Sequence, residues 1–268
     1  MGLFDVHAHL TSPRLQPDEA EIVQRARDAG LTTILSNGLN PADNVATAAL
    51  ASRHDIVRPC FGLYPVDAVL PEMLELGVEY HREDEAVWPA EEAVQWVADH
   101  VDDAFAVGEV GLDGYWVPQE LWERQEWAFR ALIRIAIEAD KALIIHTRKR
   151  ERRALEILQE EGATKVDWHC FSSRVKLGRR IAEHGHWLSI PANVRVSENF
   201  VRLVETLPKN KILVETDCPY LAPTRGDRNE PVNVVGTVAF MAERWGWAES
   251  EVLEQLEQNF EALFGVRP

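Results

Sequence analysis

The sequence predicts an α/β protein folded as a (β/α)8 barrel of the TIM type. Over its 268 residues, eight short apolar runs rich in β-branched residues alternate with longer stretches of helical periodicity. Most of the runs are apolar on both faces, which is typical of parallel strands covered by helices. The alternative is an open doubly wound sheet, but the segment from Gly108 spaces its glycines as GxxGxxG and lacks the GxG turn of a dinucleotide site. A closed barrel is therefore the simplest arrangement of eight such repeats.

The expected strands follow one another along the whole chain. They are LFDVHAH (3–9), TTILSNG (32–38), IVRPCFG (56–62), FAVGEVG (105–111), ALIIHT (142–147), KVDWHC (165–170), HWLSIP (186–191) and KILVETD (211–217). Helical periodicity predicts connecting helices at 18–29, 41–54, 91–102, 118–139, 150–161, 174–184 and 197–206, with C-terminal helices at 230–245 and 248–264. An acid-rich segment, 66–90, has no strand pattern and is expected to be an insertion after the third strand. No linker interrupts the pattern, so residues 1–268 are expected to form a single domain.

Composition predicts a cytoplasmic protein. Hydrophobic residues make up 46% and charged residues 27% of the chain, which is ordinary for a globular protein. We find no apolar run of the roughly 18 residues that a membrane span needs, and no signal-peptide pattern. The three scattered cysteines are expected to be free thiols. A net charge of −16 disfavours non-specific nucleic-acid binding, so a phosphate substrate would need a local positive centre.

Six metal-competent side chains stand at the expected carboxyl ends of five strands. They are His7, His9, Glu109, His146, His169 and Asp217. Alternate residues of a strand share a face, so His7 and His9 are expected on one side of the first strand. Because functional groups of a barrel gather at the carboxyl ends of its strands, we expect all six to form a metal site. Six ligands exceed what one tetrahedral zinc needs, which favours two divalent cations, zinc, manganese or magnesium, with Glu109 as the bridge.

The motifs DVHAHL, GEVGLD, IIHTR, WHCF and ETDCPYLAP, followed by RGDRNEP, resemble the TatD family of metal-dependent hydrolases, within the amidohydrolase-like barrels. The resemblance runs in the family's order from residue 4 to about residue 233. It implies a TIM barrel, one or two divalent metals and phosphodiester hydrolysis, typically by a magnesium- or manganese-supported deoxyribonuclease. By that likeness one metal would be held by His7, His9 and Asp217 and the other by His146 and His169, with Glu109 between them.

Catalytic roles are expected for Asp217 and Glu109. A pair of cations can activate water and stabilise both the attacking and the leaving oxygens on phosphorus. Asp217 can orient that water or accept its proton. The expected substrate is a single-stranded DNA end or another phosphodiester, with no membrane and no obligate protein partner involved.

Four further residues are candidates for substrate binding: Tyr64, Arg148, Arg225 and Arg228. The arginines, one near His146 and two in the loop after the last strand, can grip a phosphate through planar paired hydrogen bonds. Many TatD-like sequences carry Gly-x-His-Pro after the third strand, whereas this chain reads FGLYPVD, with Tyr64 in the place of the histidine. Tyrosine can donate a hydrogen bond to a phosphate but cannot do the acid–base work of imidazole near neutral pH.

Two other functions stay open at this point. Water activated by metal also attacks carbonyl carbon, so an amidase, lactonase or esterase can use the same fold. A metal-binding protein without turnover is the third hypothesis.

Several residues near these motifs are expected to have other roles. Cys170 and Cys218 each follow a predicted ligand and are expected to point to the opposite face, into packing. His186, at a strand start, is expected to be a surface or capping histidine. Tyr115 and Trp116 are expected either to stack on a base or to pack over the barrel mouth.

Overall fold

A computed structural model describes residues 2–81 and 87–268 and contains eight parallel strands in a single sheet. Each strand pairs with the next along the chain, in the order β1 to β8. The strands are β1 (Leu3–Ala8), β2 (Leu31–Asn37), β3 (Val57–Phe61), β4 (Ala106–Asp113), β5 (Leu143–Arg148), β6 (Val166–Trp168), β7 (Trp187–Ile190) and β8 (Ile212–Val214).

The first and last strands meet, which closes the sheet into a barrel. Ala8 pairs with Cys218 in an isolated parallel bridge. The N–H of His9 donates to the Cys218 carbonyl at 2.8 Å, and the N–H of Asp217 donates to the His7 carbonyl at 2.8 Å. The predicted (β/α)8 barrel is thereby confirmed over the open sheet, and closure itself places Asp217 beside the two N-terminal histidines.

Helices follow the strands at nearly the predicted positions. They are α1 (Glu19–Asp28), α2 (Pro41–Arg53), α3 (Leu70–Glu75), α4 (Ala90–His100), α5 (Trp122–Glu138), α6 (Glu151–Glu161), α7 (Val175–Glu183), α8 (Glu198–Thr206), α9 (Val234–Trp245) and α10 (Glu249–Phe264). Local chemistry sets their ends: the Asn40 side chain accepts the N–H groups of Ala42 and Asp43, with Pro41 in the first turn of α2. None of the helices in the described part of the chain is long and apolar enough to cross a membrane.

The insertion after β3 contains a short helix that the sequence reading did not predict. A 3-10 turn at Asp67–Val69 leads into α3, and the chain then continues to residue 81, while residues 82–86 of the predicted insertion lie outside the described ones. Val66, Val69 and Met73 pack with Val117, which follows β4, as a small cluster separate from the main core. Because Tyr80 packs against the same cluster, the insertion is fixed beside the loop after β4.

His186 is buried rather than exposed at the surface. Its Nδ1 accepts the indole N–H of Trp168 at 3.1 Å, and its Nε2 lies 3.1 Å from the Ala163 carbonyl. Burial, the largest influence, lowers the pKa of His186 to about 4. The ring is therefore a neutral, fully hydrogen-bonded part of the packing between β6 and β7.

Candidate metal centre and active site

The structure brings all six predicted ligands together at the carboxyl end of the barrel. Two sets of three have ligand atoms that all lie within 4.8 Å of one another: His7, His9 and Asp217, and His7, Glu109 and His169. The Nε2 atoms of His7 and His9 are 3.1 Å apart. Asp217 Oδ1 lies 3.7 Å from the first of these nitrogens and 3.5 Å from the second.

Glu109 joins the two halves of the cluster. Its Oε2 lies 3.6 Å from His7 Nε2 and 3.4 Å from His9 Nε2. Its Oε1 lies 3.1 Å from His146 Nδ1 and 3.0 Å from His169 Nε2. One carboxylate therefore faces two pairs of imidazoles with its two oxygens, as a bridging ligand would.

The donor set fits divalent metal. Ligands about 2.0–2.2 Å from a tetrahedral ion are about 3.3–3.6 Å from one another. The separations of 3.4–3.7 Å between the carboxylate oxygens and the His7 and His9 nitrogens are close to that range. Imidazole and carboxylate donors suit zinc and manganese, and magnesium accepts the carboxylates.

The neighbouring charges and hydrogen bonds of the cluster set the ionisation of its carboxylates and imidazoles. Burial alone would raise the pKa of Glu109, but the charge of His169 and hydrogen bonds with His146 and His169 hold it well below its usual range. Burial would lower the pKa of His9, yet its hydrogen bond with Asp217 and the Glu109 charge raise it to about 9. The pKa values of both Glu109 and Asp217 lie below their usual range, so these carboxylates are in the ionised form that binds metal.

Asp113 is a buried residue of the site that sequence reasoning missed. It ends β4, and its Oδ2 lies 2.9 Å from Nε2 of His146. Its Oδ1 accepts the backbone N–H groups of Tyr115 and Trp116, both at 2.7 Å. Asp113 thus orients the candidate ligand His146 and fixes the turn that follows the strand. The sequence signal for this role was an aspartate at the end of the GLD in GEVGLDG, just before a turn.

Two further carboxylates hold the backbone that carries the ligands. Asp5 Oδ1 accepts the N–H of His7 at 3.1 Å and that of Thr216 at 2.9 Å. Glu215 Oε1 accepts the N–H of Cys170 at 2.8 Å. Cys170 packs against the main core, as expected, but it also lines the cavity. It lies beyond the end of β6 with φ of 46°, where strand alternation no longer applies. Cys218 is buried, as expected.

A cavity of about 800 Å³ opens above the cluster. Its wall includes the candidate ligands His9, Glu109, His146, His169 and Asp217, together with Tyr64, Arg148 and Tyr220. The structure does not bring Arg225 or Arg228 to this wall. Arg228 instead donates to Asp18 at 2.7 Å and to Glu230 at 3.0 Å, and both contacts raise its pKa.

Tyr64 faces the cluster from the loop after β3. Its ring meets that of His146 edge-on, with centroids 5.0 Å apart. Burial raises the pKa of the Tyr64 hydroxyl well above its ordinary value, with Glu109 adding to the effect. The hydroxyl therefore keeps its proton at neutral pH and can act as a hydrogen-bond donor, but not as a base.

Comparison with known proteins gives one family for the chain. The family model for TatD related DNase matches residues 4–265. Human deoxyribonuclease TATDN3 is 29% identical over 270 residues, covering 98% of this chain and 95% of the human protein. The metal-dependent hydrolase YcfH of Escherichia coli K12 is 31% identical over 281 residues, covering 99% and 97%. The crystal structure of the E. coli TatD homologue YjjV superposes with a TM-score of 0.83 at 23% identity, with 98% of each chain covered. The chain therefore belongs to the TatD related DNase family of metal-dependent hydrolases.

Proposed function

We propose that this protein is a phosphodiesterase that cleaves single-stranded DNA with two divalent cations bound at the barrel mouth. The observation that carries the proposal is Glu109, whose two oxygens each face a separate pair of imidazoles. His7, His9 and Asp217 would hold one cation, and His146 and His169 the other, with Glu109 between them. The human relative is named a deoxyribonuclease, which supports DNA as the substrate.

The bound cations would supply the positive charge that activates water and stabilises the attacking and leaving oxygens on phosphorus. Burial raises the pKa of Asp217, but its hydrogen bond with His9 and the neighbouring imidazoles lower it below the usual value overall. Asp217 is therefore ionised at neutral pH and can accept a proton from the attacking water. Tyr64 would donate a hydrogen bond to a phosphate oxygen, and Arg148 would contact the phosphate from the cavity wall.

Carbonyl hydrolysis is not favoured. The named activities among the relatives reported above are deoxyribonuclease and metal-dependent hydrolase. A carboxylated lysine that bridges two metals would favour the alternative chemistry, but β4 offers Glu109 for the bridge and β5 carries His146 rather than a lysine. A metal-binding role without turnover makes a different prediction, which the following experiment tests.

The test uses end-labelled single-stranded DNA with purified protein and added Mg²⁺, Mn²⁺ or Zn²⁺. We expect metal-dependent shortening of the strand, which chelator and the variants Asp217→Asn and Glu109→Gln abolish. Circular dichroism of both variants checks that the fold is retained. If added metal raises the melting temperature of the protein but no DNA is cleaved, the result would instead support metal binding without turnover.

A further inference from the structure

Two arginines at the barrel mouth each lie over a tyrosine ring. The guanidinium carbon of Arg148 is 3.6 Å from the centroid of Tyr115. That of Arg14 is 5.5 Å from the centroid of Tyr220. Over residues 2–81 and 87–268 no carboxylate forms an ion pair with either arginine, although the chain has 44 acidic residues against 28 basic ones. Their charges are therefore available to an outside anion.

Both tyrosines beneath the arginines are exposed. Tyr115 is 48% exposed, and its backbone N–H is held by Asp113. Tyr220 is 43% exposed, lines the cavity, and has its ring 6.4 Å from that of His9. Exposed aromatic rings combined with cations are the usual means of binding single-stranded nucleic acid, because every base has a face that can stack.

The two pairs lie on opposite sides of the mouth. Arg14 and Tyr220 come from the loops after β1 and β8, which are neighbours where the barrel closes. Tyr115 follows β4 and Arg148 ends β5, half-way around the strand order. A strand that runs from one pair to the other must therefore pass over the candidate metal cluster.

We propose that these two arginine–tyrosine pairs form a clamp for single-stranded DNA, one on each side of the phosphodiester to be cleaved. The arginines contact phosphates and the aromatic rings stack on bases. The clamp rests on the proposed function for the identity of the central site. It adds that the substrate is a strand of several nucleotides bound on both sides of the cleaved bond, rather than a mononucleotide held in the pocket.

Anisotropy of fluorescent dT12, measured in chelator so that no cleavage occurs, tests the clamp. Each phosphate contact contributes about 0.7 to the slope of log K against log salt for a single strand. Arg14→Gln and Arg148→Gln should each lower that slope by about 0.7. Each variant should then gain about fivefold less affinity than the unmodified protein when the salt concentration falls from 1 M to 0.1 M. Tyr115→Leu should weaken binding through lost stacking and leave the slope near its original value.

Lys209→Gln is the matched control. Lys209 also lies over aromatic rings, with its Nζ 4.9 Å from the centroid of Trp247, but it precedes β8 and so lies at the opposite end of the barrel. This variant loses one positive charge as well, and it should bind dT12 like the unmodified protein.

The outcomes separate the clamp from the proposed function. Three results would each overturn the clamp. The slopes of both arginine variants could match that of Lys209→Gln, the slope could change in only one of the two arginine variants, or the unmodified protein could fail to bind dT12. Hydrolysis of bis(p-nitrophenyl) phosphate by the unmodified protein with Mn²⁺ depends only on the metal centre. Its presence, with unchanged dT12 slopes, overturns the clamp alone, whereas its absence together with absent DNA cleavage overturns the proposed function.

Discussion

Replacing Asp113 with asparagine should disable His146 as a ligand without changing the shape of the site. The two backbone N–H groups at Oδ1 hold that oxygen in place, so the new amide nitrogen takes the position of Oδ2, 2.9 Å from His146 Nε2. An amide nitrogen donates only. His146 must then accept at Nε2 and carry its proton on Nδ1, the nitrogen that lies 3.1 Å from Glu109 and would face the metal.

The expected loss follows from this change of tautomer. A protonated ring nitrogen cannot bind metal, and removal of such an orienting carboxylate costs about 10- to 100-fold in metal affinity, or about 1.4–2.7 kcal/mol. The pKa of His146 should also fall from its value of about 9: burial lowers that pKa, and the hydrogen bond with Asp113 is the largest influence raising it.

Titration calorimetry with Mn²⁺ or Zn²⁺ measures this effect. Glu126→Gln is the control, since it removes a partly buried carboxylate that pairs with Arg150 and Arg153 away from the candidate ligands. A dissociation constant for Asp113→Asn within about twofold of the unmodified value would refute the reasoning, as would an equal loss in the control.

Three further predictions concern stability and turnover. The pKa of His186 is lowered by burial to about 4 from 6.5, so the unfolded chain binds the extra proton first as pH falls below 6.5. Between pH 7.5 and pH 5 the free energy of unfolding should fall by about 2 kcal/mol because of this site. In urea titrations, the free energy of unfolding of His186→Gln should fall by about that much less than the free energy of the unmodified protein over the same pH range. Gly111→Ala should destabilise the barrel and displace His146, because Gly111 has φ of 145° and an added Cβ would lie 2.0 Å from the His146 carbonyl oxygen, whereas Gly236→Ala meets nothing within 4 Å and should fold normally. Tyr64→Phe should lower kcat/KM for DNA about tenfold or more through loss of one hydrogen bond to a charged group, and an unchanged kcat/KM would remove Tyr64 from the mechanism.

The barrel and the convergence of its ligands could be predicted because one rule covers them. Parallel strands of a barrel end on one face, so side chains at strand ends converge whatever lies between them. The start of α2 was also predicted, since helical periodicity indicated a helix from residue 41 and the structure begins α2 at Pro41, with Asn40 as its cap. Both inferences depend on short-range pattern alone.

The orienting groups could not be predicted in the same way. β6 ends at Trp168 and β8 at Val214, so Cys170 and Asp217 lie beyond regular strand, both with positive φ. Alternation along a strand gives no direction for such residues. Asp113 was missed for a related reason, because its role depends on a hydrogen bond to His146 on another strand. The helix α3 is only six residues long, too short for periodicity to stand out in an acidic segment.

The acidic character of the chain and a polyanionic substrate are compatible because the charge is distributed unevenly. Many arginines elsewhere are neutralised by carboxylates, as Arg228 is by Asp18 and Glu230. At the mouth, Arg14 and Arg148 lie over aromatic rings instead, and the carboxylates of the cluster lie below them, where bound cations would neutralise them. A net charge of −16 should repel DNA from most of the surface, and in the proposed clamp Arg14 and Arg148 would supply positive charge beside the catalytic groups. Affinity for DNA should accordingly be weak outside the mouth, and most of its salt dependence should come from these two arginines.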